Sequence, residues 1–181
     1  MNLPNIITLG RLLSVPLAIW LILSGAYWAA FWTFVLAGVS DAVDGFIAKR
    51  FEQRTQIGAL LDPVADKALL VSVYVTLGMA GQLPNWLVIL VVFRDLMIVG
   101  GFVLVQLLVQ KIRWEPLLVS KLNTALQIIL AAFTLARLGY GADDHGLEIV
   151  LVFAVAITTV LSGGAYLVRW ASAIAGTEAH R

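Results

Sequence analysis

The chain has 181 residues, no cysteine, 61% apolar residues and 13% charged ones, against about 45–50% and about 25% in an ordinary soluble domain. Twelve Lys and Arg against eleven Asp and Glu leave a net charge of +1, so there is no basic surplus with which to grip nucleic acid. The apolar content excludes a disordered chain, and the missing thiols exclude disulfide scaffolds and zinc–cysteine sites. The expectation is a single all-α integral membrane domain over residues 1–181.

Uncharged runs locate the elements. Nothing between Leu12 and Ser40 is charged, a stretch too long for one crossing at about 1.5 Å per residue. Ser24-Gly25 divides it, which predicts helices over Ile6–Leu23 and Tyr27–Lys49. The run Ala68–Phe93 is broken around Gly81-Gln82-Leu83-Pro84-Asn85, predicting helices over Ile57–Ala80 and Asn85–Val109. Leu117–Leu138 and Leu147–Val168 complete six transmembrane spans.

Lys49, Arg50 and Arg54 lie between the second and third helices, and Lys111, Arg113 and Lys121 between the fourth and fifth. Arg169 and Arg181 follow the sixth, while the links after the first and third helices carry no charge. The positive-inside rule therefore puts both termini and both basic loops in the cytoplasm. Met1–Gly10 holds no Lys or Arg, which speaks against a cleavable signal peptide. The expected location is a cytoplasm-facing inner or organellar membrane, bacterial on the strength of a short, signal-free chain. Trp28, Trp86, Trp114 and Trp170 fall near span ends, where aromatic belts form. Gly100-Gly101 and Gly163-Gly164 fit close helix packing.

Asp41, Asp44, Asp62 and Asp66 all lie in stretches read as membrane helix. Each ionisable group at that depth costs a few kcal/mol, so such residues normally face a polar cavity and mark function. Asp41 and Asp44 are spaced i, i+3 on one helix, and Asp62 and Asp66 i, i+4 on the next, so each pair shares a helical face. Both pairs lie towards the same basic link and can converge. Four carboxylates in one cleft repel each other unless some are protonated or divalent cations neutralise them. All-oxygen ligation suits Mg²⁺ or Mn²⁺, and two such ions can clamp a phosphate or pyrophosphate. Gly45, Ala48, Gly58 and Ala59 are small enough to admit a bulky polar head. Spacing alone leaves open a proton or ion pathway, and simple pairing with Lys49, Arg50 and Lys67.

As a string, Asp41-x2-Asp44-Gly45-x2-Ala48-Lys49-x8-Gly58-x3-Asp62-x3-Asp66 resembles the signature of the CDP-alcohol phosphatidyltransferases, spread over 26 positions. The family usually has Arg where Lys49 stands, with Arg50 here directly after it. The charge is kept and the planar two-pronged fork is lost. Pro4-Asn5-x2-Thr8-x2-Arg11 is similar to the family's amino-terminal segment, which lies along the cytoplasmic interface before the first span. Asp62-Pro63-x-Ala65-Asp66-Lys67 is typical of members acting on glycerol-based acceptors. Arg94-Asp95 and Ser120-Lys121-x-Asn123-Thr124 look most like the cardiolipin synthases among them; the related phosphatidylglycerophosphate synthases tend to have Arg-Glu and a lysine in place of the Asn.

The resemblance implies a six-span homodimer that opens its site to the cytoplasm. It would transfer a phosphatidyl group from CDP-diacylglycerol to an alcohol and release CMP. By similarity Asp41, Asp44, Asp62 and Asp66 hold two divalent ions, and Asp66 is also the general base. Asn5, Thr8, Gly45, Ala48, Lys49 and Gly58 would shape the CDP pocket, although Asn5 and Thr8 serve equally as caps of the first helix. Arg94, Lys121, Arg11 and Arg50 are the candidates for the phosphate of an anionic glycerol-based acceptor. For Arg94 the other reading is a network with Asp95 that pins helices together. For Lys121 and Arg11 it is an interfacial anchor. The expected acceptor is phosphatidylglycerol, giving cardiolipin, with glycerol 3-phosphate as the same-class alternative and a small proton- or cation-coupled transporter as the alternative of another class.

Overall fold

The structure is a computed structural model that describes the backbone of residues 3–50, 56–109, 117–144 and 146–178, and the side chains of residues 10–40, 67–101, 117–144 and 146–172. Among the described residues every regular element is helical: α1 (Leu3–Leu23), α2 (Tyr27–Arg50), α3 (Gln56–Met79), α4 (Asn85–Val109), α5 (Leu118–Tyr140) and α6 (Leu147–Glu178).

Two departures from expectation have local causes. The amino-terminal segment is not a separate element, because α1 runs unbroken from Leu3 and includes Pro4 and Asn5. Pro4 falls in the first turn, where a missing N–H breaks no helical bond. At the other end α6 continues ten residues past Val168, to Glu178. Arg169-Trp170-Ala171-Ser172-Ala173-Ile174-Ala175 contains good helix formers and no proline, so nothing stops the helix where the apolar run stops. With 32 residues α6 is about 48 Å long, well beyond the roughly 30 Å hydrocarbon layer of a bilayer.

Three helices end in the same way. Gly25, Gly81 and Gly141 follow α1, α3 and α5 with φ of 72°, 71° and 64°. Ala26 N–H reaches Leu21 O at 2.9 Å, Gln82 N–H reaches Leu77 O at 2.9 Å, and Ala142 N–H reaches Arg137 O at 3.1 Å. These bonds satisfy carbonyls that the helix end leaves open, and the left-handed backbone they need favours glycine.

Packing divides the chain into two compact units, Met1–Pro84 with Ala131–His145, and Asn85–Leu130 with Gly146–Arg181. In the first, α1 packs on α2 and α3 around Ala18, Ile22, Phe34, Val73, Tyr74 and Leu77, with Leu135 of α5 also buried. At Gly139 α5 lies close against the start of α2: a methyl group there would lie 2.7 Å from both Cα and N of Trp28. Backbone cannot yield as a side chain can, so Gly139→Val is expected to cost about 1–3 kcal/mol. Thermal unfolding in detergent checks this against Gly100→Ala, where no described atom lies within 4 Å of the added methyl. Equal midpoints for the two variants would show that the close approach is not needed.

In the second unit α4 packs on α6. Tyr166 and Trp170 form a cluster with Met97, Ile98 and Leu117. Gly101 makes room there for the Trp170 indole, which would have to shift if that position carried a side chain. Trp170 is accordingly 9% exposed and is an internal packing residue, contrary to the expected belt position, whereas Trp28 and Trp86 are 54% and 48% exposed. Trp114 lies outside the described residues.

Large apolar side chains cover much of the outer surface, among them Leu13, Trp20, Met79, Ile89, Phe93, Leu118 and Val168. Leu118–Tyr140 and Leu147–Ser172 are long and apolar enough to cross a membrane by length and composition; the apolar stretches Gly10–Leu23, Tyr27–Ser40 and Lys67–Met79 are shorter.

Candidate active site

The acidic residues occupy two helices. Asp41 and Asp44 lie on α2, and Asp62 and Asp66 on α3, so the backbone bears out the helical register of each pair. Asp44 is six residues before the end of α2 at Arg50, and Asp62 six residues after the start of α3 at Gln56. Among the described residues no three His, Cys, Asp or Glu side chains are placed to hold a metal. The carboxylates of these four aspartates lie outside those residues, as do the side chains of Asn5, Thr8, Gly45, Ala48, Lys49, Arg50 and Gly58. Four carboxylates would offer oxygen donors alone, the kind a hard divalent cation takes.

Arg11 is 3% exposed on α1, enclosed by protein rather than lying at the surface as an anchor would. Lys121 is exposed near the start of α5.

Arg94 is the best-defined candidate. It is 3% exposed, and its Nη1 donates to Asp95 Oδ1 at 2.6 Å. Its Nη2 donates to Ser120 Oγ at 2.7 Å and to Ser162 Oγ. One guanidinium thus joins α4, α5 and α6, as the pinning alternative anticipates. Gly163 lies against this part of α4: a methyl there would press on Met97 Cε at 3.3 Å and reach Arg94 Cγ at an ordinary contact distance of 3.8 Å. Of each expected glycine pair, only Gly101 and Gly163 make the close approach; a methyl at Gly100 or Gly164 meets no described atom.

One turn along α5, Asn123 is fully buried, and its Oδ1 accepts from the hydroxyls of Thr158 and Thr159, each at 2.9 Å. Gln127 is also fully buried, a further turn along. The second unit therefore carries a polar seam inside and apolar side chains outside. Ser162, Thr158 and Thr159 escape a reading of single residues. Their signal is their spacing, 158, 159 and 162, which sets three hydroxyls on one face of an otherwise apolar helix.

A family model described as CDP-alcohol phosphatidyltransferase matches residues 1–162. The chain belongs to the CDP-alcohol phosphatidyltransferase family. The match closes at Ser162, so every member of the Arg94 network falls within the family region. Curated relatives agree with this membership. The chain is 35% identical to the chloroplastic CDP-diacylglycerol–glycerol-3-phosphate 3-phosphatidyltransferase 1 of Oryza sativa, covering 94% of this chain and 57% of that protein. It is 33% identical to the human cardiolipin synthase (CMP-forming), covering 91% of this chain and 60% of that one. A probable phosphatidylglycerophosphate synthase of Mycobacterium tuberculosis is 33% identical over 93% of this chain and 81% of its own. The chain thus spans somewhat over half the length of the first two of these CDP-alcohol phosphatidyltransferase relatives.

Proposed function

We propose that the protein is an integral membrane enzyme that transfers a phosphatidyl group from CDP-diacylglycerol to the hydroxyl of phosphatidylglycerol, yielding cardiolipin and CMP. The observation that carries this reading is the four-aspartate register on α2 and α3 inside the matched family region. The apolar outer surface supports a lipid environment, since soluble monomers rarely expose contiguous apolar area on this scale. Six spans, cytoplasmic termini, an active site facing the cytoplasm of a bacterial inner membrane, and a homodimer complete the proposal.

In this reading Asp41, Asp44, Asp62 and Asp66 would hold two Mg²⁺ or Mn²⁺ ions, and Asn5, Thr8, Gly45, Ala48, Lys49 and Gly58 would surround the CDP. When bound, the ions neutralise the pyrophosphate and stabilise charge on the departing CMP oxygen. Asp66 accepts the proton of the acceptor hydroxyl as that oxygen attacks the phosphorus bearing diacylglycerol, and the bond from phosphorus to the CMP oxygen breaks. Arg94, Lys121, Arg11 and Arg50 serve the acceptor's phosphate. Little more is asked of the protein, because phosphoryl transfer is governed by positioning and electrostatics.

The rice relative's name supports a second acceptor, glycerol 3-phosphate, which would give phosphatidylglycerophosphate. The transport reading draws no support from the comparisons. Detergent-purified protein incubated with CDP-diacylglycerol, Mg²⁺ or Mn²⁺, and each acceptor in separate tubes is expected to yield cardiolipin from phosphatidylglycerol. A chelator should stop the reaction and added metal should restore it. Phosphatidylglycerophosphate as the sole product would overturn the acceptor assignment, and no CMP in either tube would overturn the transferase.

A further inference from the structure

The hydrogen bonds of Arg94 are unevenly committed. Nη1 donates to Asp95 Oδ1 at 2.6 Å, and both hydrogens of Nη2 are taken by the hydroxyls of Ser120 and Ser162. Nε is buried with no partner among the described residues. A guanidinium offers an oxyanion two two-pronged edges, Nη1 with Nη2 and Nε with Nη2. Each edge needs a hydrogen from Nη2, and neither Nη2 hydrogen is available. At 3% exposure this cation has no two-pronged edge to offer a phosphate while the two serines stay in place.

The serines accept through a lone pair, and each keeps its own O–H hydrogen. Ser162 is fully buried. Ser120 is partly exposed, and its hydroxyl hydrogen has no acceptor among the described residues. It stands beside the exposed Lys121 near the start of α5. A hydroxyl that accepts from a cation becomes a stronger donor, because each bond in such a chain polarises the next.

We propose that Ser120 is the group that touches the phosphate of the acceptor, with Arg94 behind it as a positioning and polarising residue. Asp95 and Ser162 fix the guanidinium, and Lys121 supplies the accessible charge beside it. This rests on the acceptor reading above and changes the part played by Arg94 from direct contact to action through a serine.

Steady-state kinetics on the full chain in detergent, varying each substrate in turn, separate the possibilities. Ser120→Ala is expected to raise the acceptor KM about tenfold or more, the loss of a hydrogen bond to a charged group, with the CDP-diacylglycerol KM unchanged. Ser120→Thr keeps the hydroxyl and should return the acceptor KM to within about threefold of the parent. Thermal midpoints confirm that both variants fold. An unchanged acceptor KM in Ser120→Ala, or a rise that Ser120→Thr does not reverse, overturns the proposal. If Lys121→Ala raises the acceptor KM while Ser120→Ala does not, the acceptor reading stands and the serine contact falls. A parent enzyme that transfers to neither acceptor overturns both.

Discussion

Asp66→Asn is expected to reduce transfer by at least about 10²–10⁴-fold, the range general base catalysis supplies, while CDP-diacylglycerol still binds. Asparagine keeps the size of the side chain and one oxygen that can still meet a metal. Asp41, Asp44 and Asp62 keep their charge, so the nucleotide site is expected to lose less than when one of those three is changed. It cannot accept a proton at neutral pH, so the acceptor hydroxyl is not activated. CMP release measured beside binding of a labelled CDP nucleotide reads the two effects apart. The other aspartates should behave differently. Asp41→Asn and Asp44→Asn remove charge from the proposed metal set and should weaken nucleotide binding itself. Turnover by Asp66→Asn close to the parent rate would remove Asp66 from the base role and leave it only a ligand.

The second large effect concerns stability. Arg94 and Asp95 side chains are 4% and 7% exposed and 2.6 Å apart. Removing Arg94 takes one partner from a buried carboxylate and the bonds to both serines, a loss of up to about 3–5 kcal/mol. Arg94→Leu should therefore unfold far more readily in detergent than the parent, measured as a drop in the thermal midpoint. Arg94→Leu combined with Asp95→Leu should recover much of the loss, because replacing both members with apolar groups removes the desolvation penalty together with the attraction. Arg94→Lys should fall between them: it keeps the charge and has one nitrogen in place of a fork reaching three partners. A double variant no more stable than Arg94→Leu would mean that the loss lies in the two serine contacts to α5 and α6 and not in the charge pair within α4.

Helix positions were legible where composition changes sharply. The start of α4 at Asn85 coincides with that expected, because Pro84 and the glycine turn at Gly81 mark it. The overrun of α6 was not legible, since the end of an apolar run and the end of a helix are different physical events. The aspartate register was legible because it is local: i, i+3 and i, i+4 follow from helix geometry alone. The partners of Arg94 were not, because Ser120 and Ser162 lie 26 and 68 positions away along the chain. Only packing decides which hydroxyls meet the guanidinium. Packing also decides that Gly101 rather than Gly100 faces Trp170, since a helix turns about 100° between neighbours and the facing direction depends on the partner.

The placement of polar side chains inside and apolar ones outside bears on how this chain responds to heat. In water, unfolding wets apolar surface and raises the heat capacity, which bends the stability curve of a soluble domain into a dome. In the proposed membrane setting, helices that separate within lipid would keep exposed side chains such as Leu118 and Val168 in hydrocarbon before and after. Their cohesion then comes from close approaches such as Gly139 on Trp28 and from bonds such as Asn123 to Thr159. Neither carries the large heat-capacity signature of hydration, so in the bilayer setting proposed above the stability curve is expected to be flatter than that of a water-soluble protein.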